Sequence, residues 1–510
     1  MESDQNVMEK KEHVYVAMII SFLAVLLYSF INLYLAPLIT NTVGIEAYGF
    51  VSLAKSFVYY ADIAMAALNS YAARYMSIAY LQGKKEKYLK YFNTVLFGNV
   101  FIAGIILFLG LVCIYKLEIL LKIPIDSVGQ IKVLFLLMFA AFYISAVTTA
   151  YAGTAYVKDC LVIYNAITFF SYFIEICVLV ISFMFYSPQI WYVGLATIVT
   201  SSIVLAGSVC MTHRKAPELQ VDIRQFSKSA MKELVLNGFW NAANSIGNVL
   251  NSGLDVLFSN LMLNAVAMGQ VSIAKNISAL TYTLYATVSQ PFQPGFLKKY
   301  SEGDVFGLLK ELKYAMKICG IITNTVFAGF CVLGLYFYKL WVPTQNISLL
   351  HILTVLAMLP CISEGCVYPL YYIYTLKVKN KIPCMVTIIG GICNVVAMFL
   401  LIKYTNLGVF AIVLTTAVVM NVINLVTNPL YMSHCLKVSK KTFYPNIVLN
   451  ILCCGVAVLT MKAVVFIYPV KDGWISFLSH IVVCGIAGTL LQVLVVFKPS
   501  DIKKILRNRN

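Results

Sequence analysis

Lys55 and Lys275 lie 220 residues apart in near-copies of one segment, Gly49-Phe50-Val51-Ser52-Leu53-Ala54-Lys55 and Gly269-Gln270-Val271-Ser272-Ile273-Ala274-Lys275. Each lysine falls inside an apolar stretch long enough to cross a bilayer, roughly 20 residues. A charge at membrane depth costs about 2.5 to 3.5 kcal/mol on insertion scales, so a cation present in both copies has a task there. An ammonium is a compact point charge that suits phosphate, and the chemistry on offer is capture of an anion inside the membrane. Four acids also lie within apolar stretches, Asp62, Glu175, Asp255 and Glu364. Each is a candidate for coupling to protons or sodium, with a structural hydrogen-bonding role as the alternative.

The elements that must position these groups are membrane helices. Of 510 residues, 61% are hydrophobic and 12% charged, about half the charge of a soluble domain; the mean hydropathy is +0.84. Spans fall near residues 13–36, 48–72, 91–115, 131–156, 162–186, 190–211, 235–260, 266–296, 316–340, 347–374, 382–403, 408–432, 445–468 and 474–497. This predicts an all-α polytopic membrane protein of about fourteen helices. The first span reads as a retained helix, since no small-residue cleavage site follows it.

The repeat extends past the lysines: Gly83 matches Gly303, Leu89 matches Leu309, and Tyr151 matches Tyr371. Six spans separate the copies, and because six is even the halves share one orientation, an arrangement transporters use around a midplane site. The expected division is a six-helix lobe over 1–215, a second over 216–435, and an extra pair, helices 13 and 14, with a basic tail over 436–510. With the N-terminus in the cytoplasm, roughly 28 basic residues, Lys10, Lys11 and Lys379 among them, fall inside against roughly 7 outside. Both termini are therefore expected to be cytoplasmic. The net charge of +17 is mostly this topological signal, aided by anionic lipids, and not a nucleic-acid footprint.

Helical spacing shows where polar atoms point. In the second span Ser52, Lys55, Tyr59, Asp62 and Asn69 share one stripe, and in the fifth so do Asn165, Thr168, Tyr172, Glu175 and Ser182. The seventh carries Asn237, Asn241, Asn244, Asn248, Asn251 and Asp255 at alternating steps of four and three, and the eighth Ser272, Lys275, Tyr282 and Ser289. Asparagines glue membrane helices at about 0.6 to 2 kcal/mol each, but a full seam suits a wet cavity wall better. Both lysines are expected roughly 8 to 10 Å outward of their helix centres at about 1.5 Å per residue. Asp255 lies at a similar depth and is a candidate partner for Lys275. Lys55 has no acid at its own level in the first span. Prolines 291, 294, 360 and 369 predict kinks in the eighth and tenth spans.

The stretch Pro37-Leu38-Ile39-Thr40 through Gly44, Glu46, Ala47, Tyr48 and Gly49, past Asp62 to Arg74-Tyr75 and the Gly83-Lys84-Lys85 turn, resembles the start of bacterial polysaccharide flippases. These belong to the multidrug/oligosaccharidyl-lipid/polysaccharide exporter superfamily. The resemblance implies two six-helix lobes around a central cavity, in the bacterial cytoplasmic membrane, that move an undecaprenyl-diphosphate-linked oligosaccharide between leaflets by alternating access. It also implies action beside a polysaccharide polymerase and glycosyltransferases. Family members line the cavity with cations; Lys55, Lys275 and Arg74 match that character, with Ser52, Tyr59, Asn241, Asn244, Asn248, Asn251 and Tyr282 as its polar lining.

The physics of such a substrate agrees. A headgroup of sugars and phosphates cannot cross hydrocarbon with its polar groups unsatisfied, whereas hydroxyls and amides can bond to it and lysines can hold the diphosphate. No G-x-x-x-x-G-K-[ST] loop is present, so ATP hydrolysis on this chain is not expected. The five histidines form no ligand pair and the fourteen cysteines lie mainly within spans, so neither metal, cofactor nor disulfide framework is expected. Two alternatives remain: a drug or cation antiporter of the same superfamily, which usually has twelve spans and an acidic cavity, and a membrane-bound polysaccharide polymerase or ligase, which needs a long external loop that this chain lacks.

Overall fold

The structure, a computed structural model, describes residues 2–377 and 381–497, with side chains from Val16 onward. Lys379, the basic tail after Phe497 and the side chains of Lys10 and Lys11 lie outside the described residues. Every regular element among those described is helical. Twelve stretches are long and apolar enough to cross a membrane. Two more helical stretches, over 228–263 and 265–301, bring the number near the fourteen expected. Asn237, Asn241, Asn244 and Asn248 make the first of these far less apolar than its neighbours.

Residues group into two compact units, one of 1–249 with 263–269 and one of 250–262 with 270–510. The first contains α1 (Glu2–Thr42), α2 (Ile45–Asn69), α3 (Ala72–Leu81), α4 (Lys85–Tyr115), α5 (Leu117–Leu120), α6 (Val128–Val157), α7 (Leu161–Phe185), α8 (Trp191–Lys215) and α9 (Lys228–Asn248). The second contains α10 (Asp255–Phe258), most of α11 (Ala265–Ser289), α12 (Gln293–Ser301), α13 (Val305–Trp341), α14 (Ile347–Val367), α15 (Tyr372–Lys377), α16 (Lys381–Tyr404), α17 (Val409–Val422), α18 (Asn428–Leu436), α19 (Tyr444–Ile467) and α20 (Trp474–Val496).

The duplication is visible in the packing of each unit. In the first, α4 packs on α6, α6 on α8 and α7 on α8; in the second, α13 packs on α14, α14 on α17 and α16 on α17. The turn after the second helix of each copy is the same. Gly83 and Gly303 both take a positive φ, 69° and 71°, which a residue without a Cβ adopts at no steric cost. Two of the four prolines interrupt their helices: tight 3₁₀ turns occupy Gln290–Phe292 and Tyr368–Tyr371, where the ring nitrogens of Pro291 and Pro369 supply no donor, whereas Pro294 opens α12 and Pro360 lies inside α14. Helices α19 and α20 pack on α13, joined by amides: Asn324 Nδ2 donates to both Asn450 O and Asn450 Oδ1 at 2.9 Å, and Asn450 Nδ2 to Ile362 O at 2.9 Å.

The segment after α8 is tied to the first unit. Buried Asn93 accepts from Asp222 N at 2.9 Å and donates to Gln220 O at 3.0 Å. Lys158 and Glu218 pair at 2.5 Å. Burial raises the Glu218 carboxyl, but the Lys158 ammonium outweighs it and holds that group below its usual range.

Small residues set how closely helices approach in the first unit. A Cβ on Gly238 would lie 1.9 Å from Ala67 O, and one on Gly269 would lie 2.2 Å from Ile45 O. Both obstacles are backbone atoms of α2, which cannot swing aside. Gly238→Ala and Gly269→Ala are each expected to destabilise the protein by about 1–3 kcal/mol through overpacking, measured as a lower Tm in detergent. Gly455→Ala is the control, since nothing lies within 4 Å of that Cβ; its Tm should stay level or rise.

Candidate functional site

The stripe on α2 and the stripe on α7 meet across a cavity of about 770 Å³ inside the first unit. Lys55, Tyr59, Asp62 and Asn69 reach it from α2, and Tyr164, Thr168, Tyr172 and Glu175 from α7. Between them α6 supplies Ser145, Thr148 and Thr149, α8 supplies Thr197, Thr200 and Ser201, and α1 supplies Tyr28. The wall is thus phenols and hydroxyls around one ammonium and two carboxyl groups. Its volume lies within the range of small-molecule sites, about 300–1,000 Å³.

Two of the three charged groups on this wall, Lys55 and Glu175, have a neutral hydrogen-bond partner. Lys55 Nζ donates to Asn32 Oδ1 on α1 at 2.8 Å. Glu175, 6% exposed, accepts from Thr200 Oγ1 at 3.2 Å. Tyr28 and Tyr172 pack ring to ring at 5.2 Å, and the Ser145 and Ser201 hydroxyls are 3.2 Å apart.

In the second unit the corresponding lysine is held differently. Lys275 Nζ pairs with Asp255 Oδ2 at 2.6 Å and also donates to Ser252 O. Asp255, 2% exposed, accepts from Thr416 Oγ1 at 3.1 Å through its other oxygen, and Asn394 Nδ2 donates to Thr416 Oγ1 at 3.2 Å and to Asn251 O at 2.7 Å. The repeat explains the contrast. At a spacing of 220, Asn32 corresponds to Ser252, so both lysines turn to the same place on the preceding helix. Asp255 corresponds to Leu35, 1% exposed, so only the second copy supplies an acid.

The asparagine seam is not one straight stripe. Helix α9 stops at Asn248, and π-helical turns occupy Val249–Gly253 and Ser259–Leu263 on either side of α10. A π turn inserts a residue, which rotates everything beyond it out of the 3.6-residue register. Asn241 and Asn248 are exposed and Asn244 half-buried in the first unit, whereas Asn251 is buried in the second, its Nδ2 donating to Thr387 O at 2.6 Å. Asn237 donates to Tyr75 Oη at 2.9 Å.

Of the remaining residues, Ser52 is half-buried on α2, its carbonyl accepting from Ser56 Oγ at 3.0 Å. Arg74 is exposed on α3, 6.0 Å from the Tyr71 ring, and is not among the cavity-lining residues. Tyr282 and Glu364 belong to the second unit, where Glu364 is the neighbour of Tyr285. Sequence reading missed Asn32, Tyr28, Tyr164 and Thr200. For Asn32 a signal existed, because the interval of 23 from Asn32 to Lys55 equals that from Ser252 to Lys275. For Thr200 none did, since a lone threonine in an apolar helix is commonplace.

Comparison with known proteins accords with this fold. Residues 13–293, more than half of the chain, match the model of the polysaccharide biosynthesis protein family. An uncharacterized membrane protein of Bacillus subtilis (strain 168), EpsK, is 25% identical over 484 residues, covering 95% of either chain. Among solved structures, an inward-facing multidrug resistance MATE family transporter of the MOP superfamily superposes with a TM-score of 0.64 at 14% identity, over 84% of this chain and 99% of that one. The lipid II flippase MurJ, in an inward closed conformation, superposes with a TM-score of 0.63 at 17% identity, over 93% and 98%. The chain is therefore a multi-pass membrane protein of the polysaccharide biosynthesis family, built on the helical fold shared by MATE transporters and MurJ.

Proposed function

We propose that the chain flips a lipid-linked oligosaccharide, a polyprenyl-diphosphate repeat unit, across the cytoplasmic membrane by alternating access, beside the glycosyltransferases and polymerase of surface polysaccharide biosynthesis. The observation that carries this reading is Lys55, an ammonium on a hydroxyl-rich cavity wall that donates its hydrogen bond to a neutral amide oxygen. An amide gives way to a phosphate oxygen readily, because charge-assisted hydrogen bonds are roughly twice as strong as neutral ones. Membership of the polysaccharide biosynthesis family supports a glycan-bearing substrate, while the fold, shared with both a lipid II flippase and a multidrug transporter, fits either reading.

The two compact units act as the moving lobes: the first holds 1–215 together with 216–249, and the second holds most of the rest of 216–435 with 436–510 attached, both termini being in the cytoplasm. Asp62 and Glu175, beside Lys55 on one wall, are the stronger candidates for coupling to protons or sodium. Asp255 is already engaged by Lys275. A second reading, antiport of an organic cation, draws on the same wall: two carboxyl groups there face one ammonium.

Deleting the chain from its host and analysing the membrane lipids separates the two. The flippase reading expects a prenyl-diphosphate oligosaccharide to accumulate in the inner leaflet, with unchanged susceptibility to cationic drugs. Normal lipid pools with heightened drug susceptibility would favour antiport and overturn it.

A further inference from the structure

The two halves have parted chemically at matching positions. Asp62 and Thr148 line the cavity of the first unit; 220 residues on, their counterparts are Tyr282 and Tyr368. These two tyrosines meet in the second unit, ring centroids 5.9 Å apart and hydroxyl oxygens 3.5 Å apart, and Tyr285 packs on both at 5.2 and 5.3 Å. The ladder runs on through Tyr371, 5.4 Å from Tyr368, to Tyr374 at 6.3 Å.

Behind the rings stands a row of amides. Tyr371 Oη donates to Asn424 Oδ1 at 2.6 Å, Tyr374 Oη to Asn428 Oδ1 at 3.0 Å, and Ser363 Oγ to Asn421 Oδ1 at 2.8 Å. Asn421, Asn424 and Asn428 come to one face although a π turn at Ile423–Thr427 interrupts their helix. Asn424 is fully buried, and among the described residues its Nδ2 has no acceptor. Leaving a buried donor unsatisfied costs about 1–3 kcal/mol, which an acceptor reaching this row would recover.

We infer that this ladder of tyrosines and asparagines, with Tyr282 and Tyr368 at its accessible end, is a binding subsite for the uncharged glycan portion of the substrate. The inference rests on the flippase reading above and deepens it. Phenol rings offer an apolar face and a polar tip, which suits the C–H faces and hydroxyls of a sugar. Amides both donate and accept, as sugar hydroxyls do. Tyr282 is 46% exposed, whereas Tyr285, behind it, is 1% exposed, so the outermost ring meets the surface and the ring supporting it is enclosed. At the matching positions the Asp62 carboxyl and Thr148 hydroxyl of the first unit give way to phenols, and among the described residues the carboxyl beside the ladder is that of Glu364, next to Tyr285.

The test measures binding of two probes to the purified full chain in detergent by native mass spectrometry. One is undecaprenyl diphosphate; the other is the undecaprenyl-diphosphate-linked oligosaccharide extracted from the deletion strain. The wild type is expected to bind the sugar-bearing lipid about tenfold more tightly. Tyr282→Ala with Tyr368→Ala should bring that ratio to about one, by weakening the sugar-bearing lipid alone. Tyr282→Phe with Tyr368→Phe, which keeps the rings and the packing, should retain part of the preference. A wild-type ratio of one, or a preference undiminished in the alanine pair, overturns the subsite; so does an equal loss of both lipids by the phenylalanine pair. Failure of the wild type to bind either lipid would instead overturn the flippase reading itself.

Discussion

Lys55→Ala is expected to lower glycan export about 30-fold while the protein reaches the membrane in normal amount. The magnitude follows from the role. A hydrogen bond to a charged group contributes about 1.5–3 kcal/mol, and 2 kcal/mol corresponds to about 30-fold in affinity. The structure explains why stability should survive. Lys55 is half-buried and bonded to a neutral amide with no ion pair to break, and Glu175, which feels its charge, keeps the hydrogen bond from Thr200. Surface polysaccharide measured alongside an immunoblot of the membrane fraction checks both parts. Loss of protein in proportion to loss of export would assign Lys55 a structural role.

The matching lysine should behave differently. Lys275→Ala leaves Asp255, 2% exposed, without the ammonium 2.6 Å from its Oδ2. Breaking a buried pair by removing one partner costs about 3–5 kcal/mol, and because the Lys275 side chain is 26% exposed we expect the lower end, about 3 kcal/mol. That is a large share of the 5–15 kcal/mol by which proteins are ordinarily stable, so folded yield and Tm should both drop. Replacing both partners, Lys275→Met with Asp255→Leu, removes the stranded charge and should recover most of the lost Tm. If Lys275→Ala melts like the wild type, the pair does not anchor α10 to α11. If the double replacement is stable yet exports normally, Lys275 has no part in substrate handling.

Much of this was legible in the residues. The spacing of 220 located both lysines, the equivalent left-handed turns at Gly83 and Gly303, and the repeated packing order, because a duplicated fold keeps its tight positions. A period of 3.6 placed Lys55, Tyr59 and Asp62 on one face of α2 and Thr168, Tyr172 and Glu175 on one face of α7, and these faces share a cavity. The same period misread the seventh span. It assumes an unbroken α-helix, whereas the π turns at 249–253 and 259–263 divide the asparagines between two environments.

Long-range partners were less legible. Arg74 carries the right charge, yet it sits exposed on the short helix α3. Asn32 is an unremarkable amide until the fold brings α1 beside α2. The tyrosines of the second unit were visible as types, but only their mutual packing shows a ladder.

Carriage of a lipid diphosphate with its sugars across the bilayer, through the cavity bearing Lys55, is the function proposed. Its most direct test is reconstitution of the purified chain into liposomes containing the oligosaccharide lipid extracted from the deletion strain, with glycan exposure followed by a lectin added outside. The wild type should make the inner-leaflet glycan accessible well above the rate of protein-free liposomes, and Lys55→Ala should slow this about 30-fold. Exposure at the protein-free rate in the wild type, or at the wild-type rate in Lys55→Ala, would contradict it.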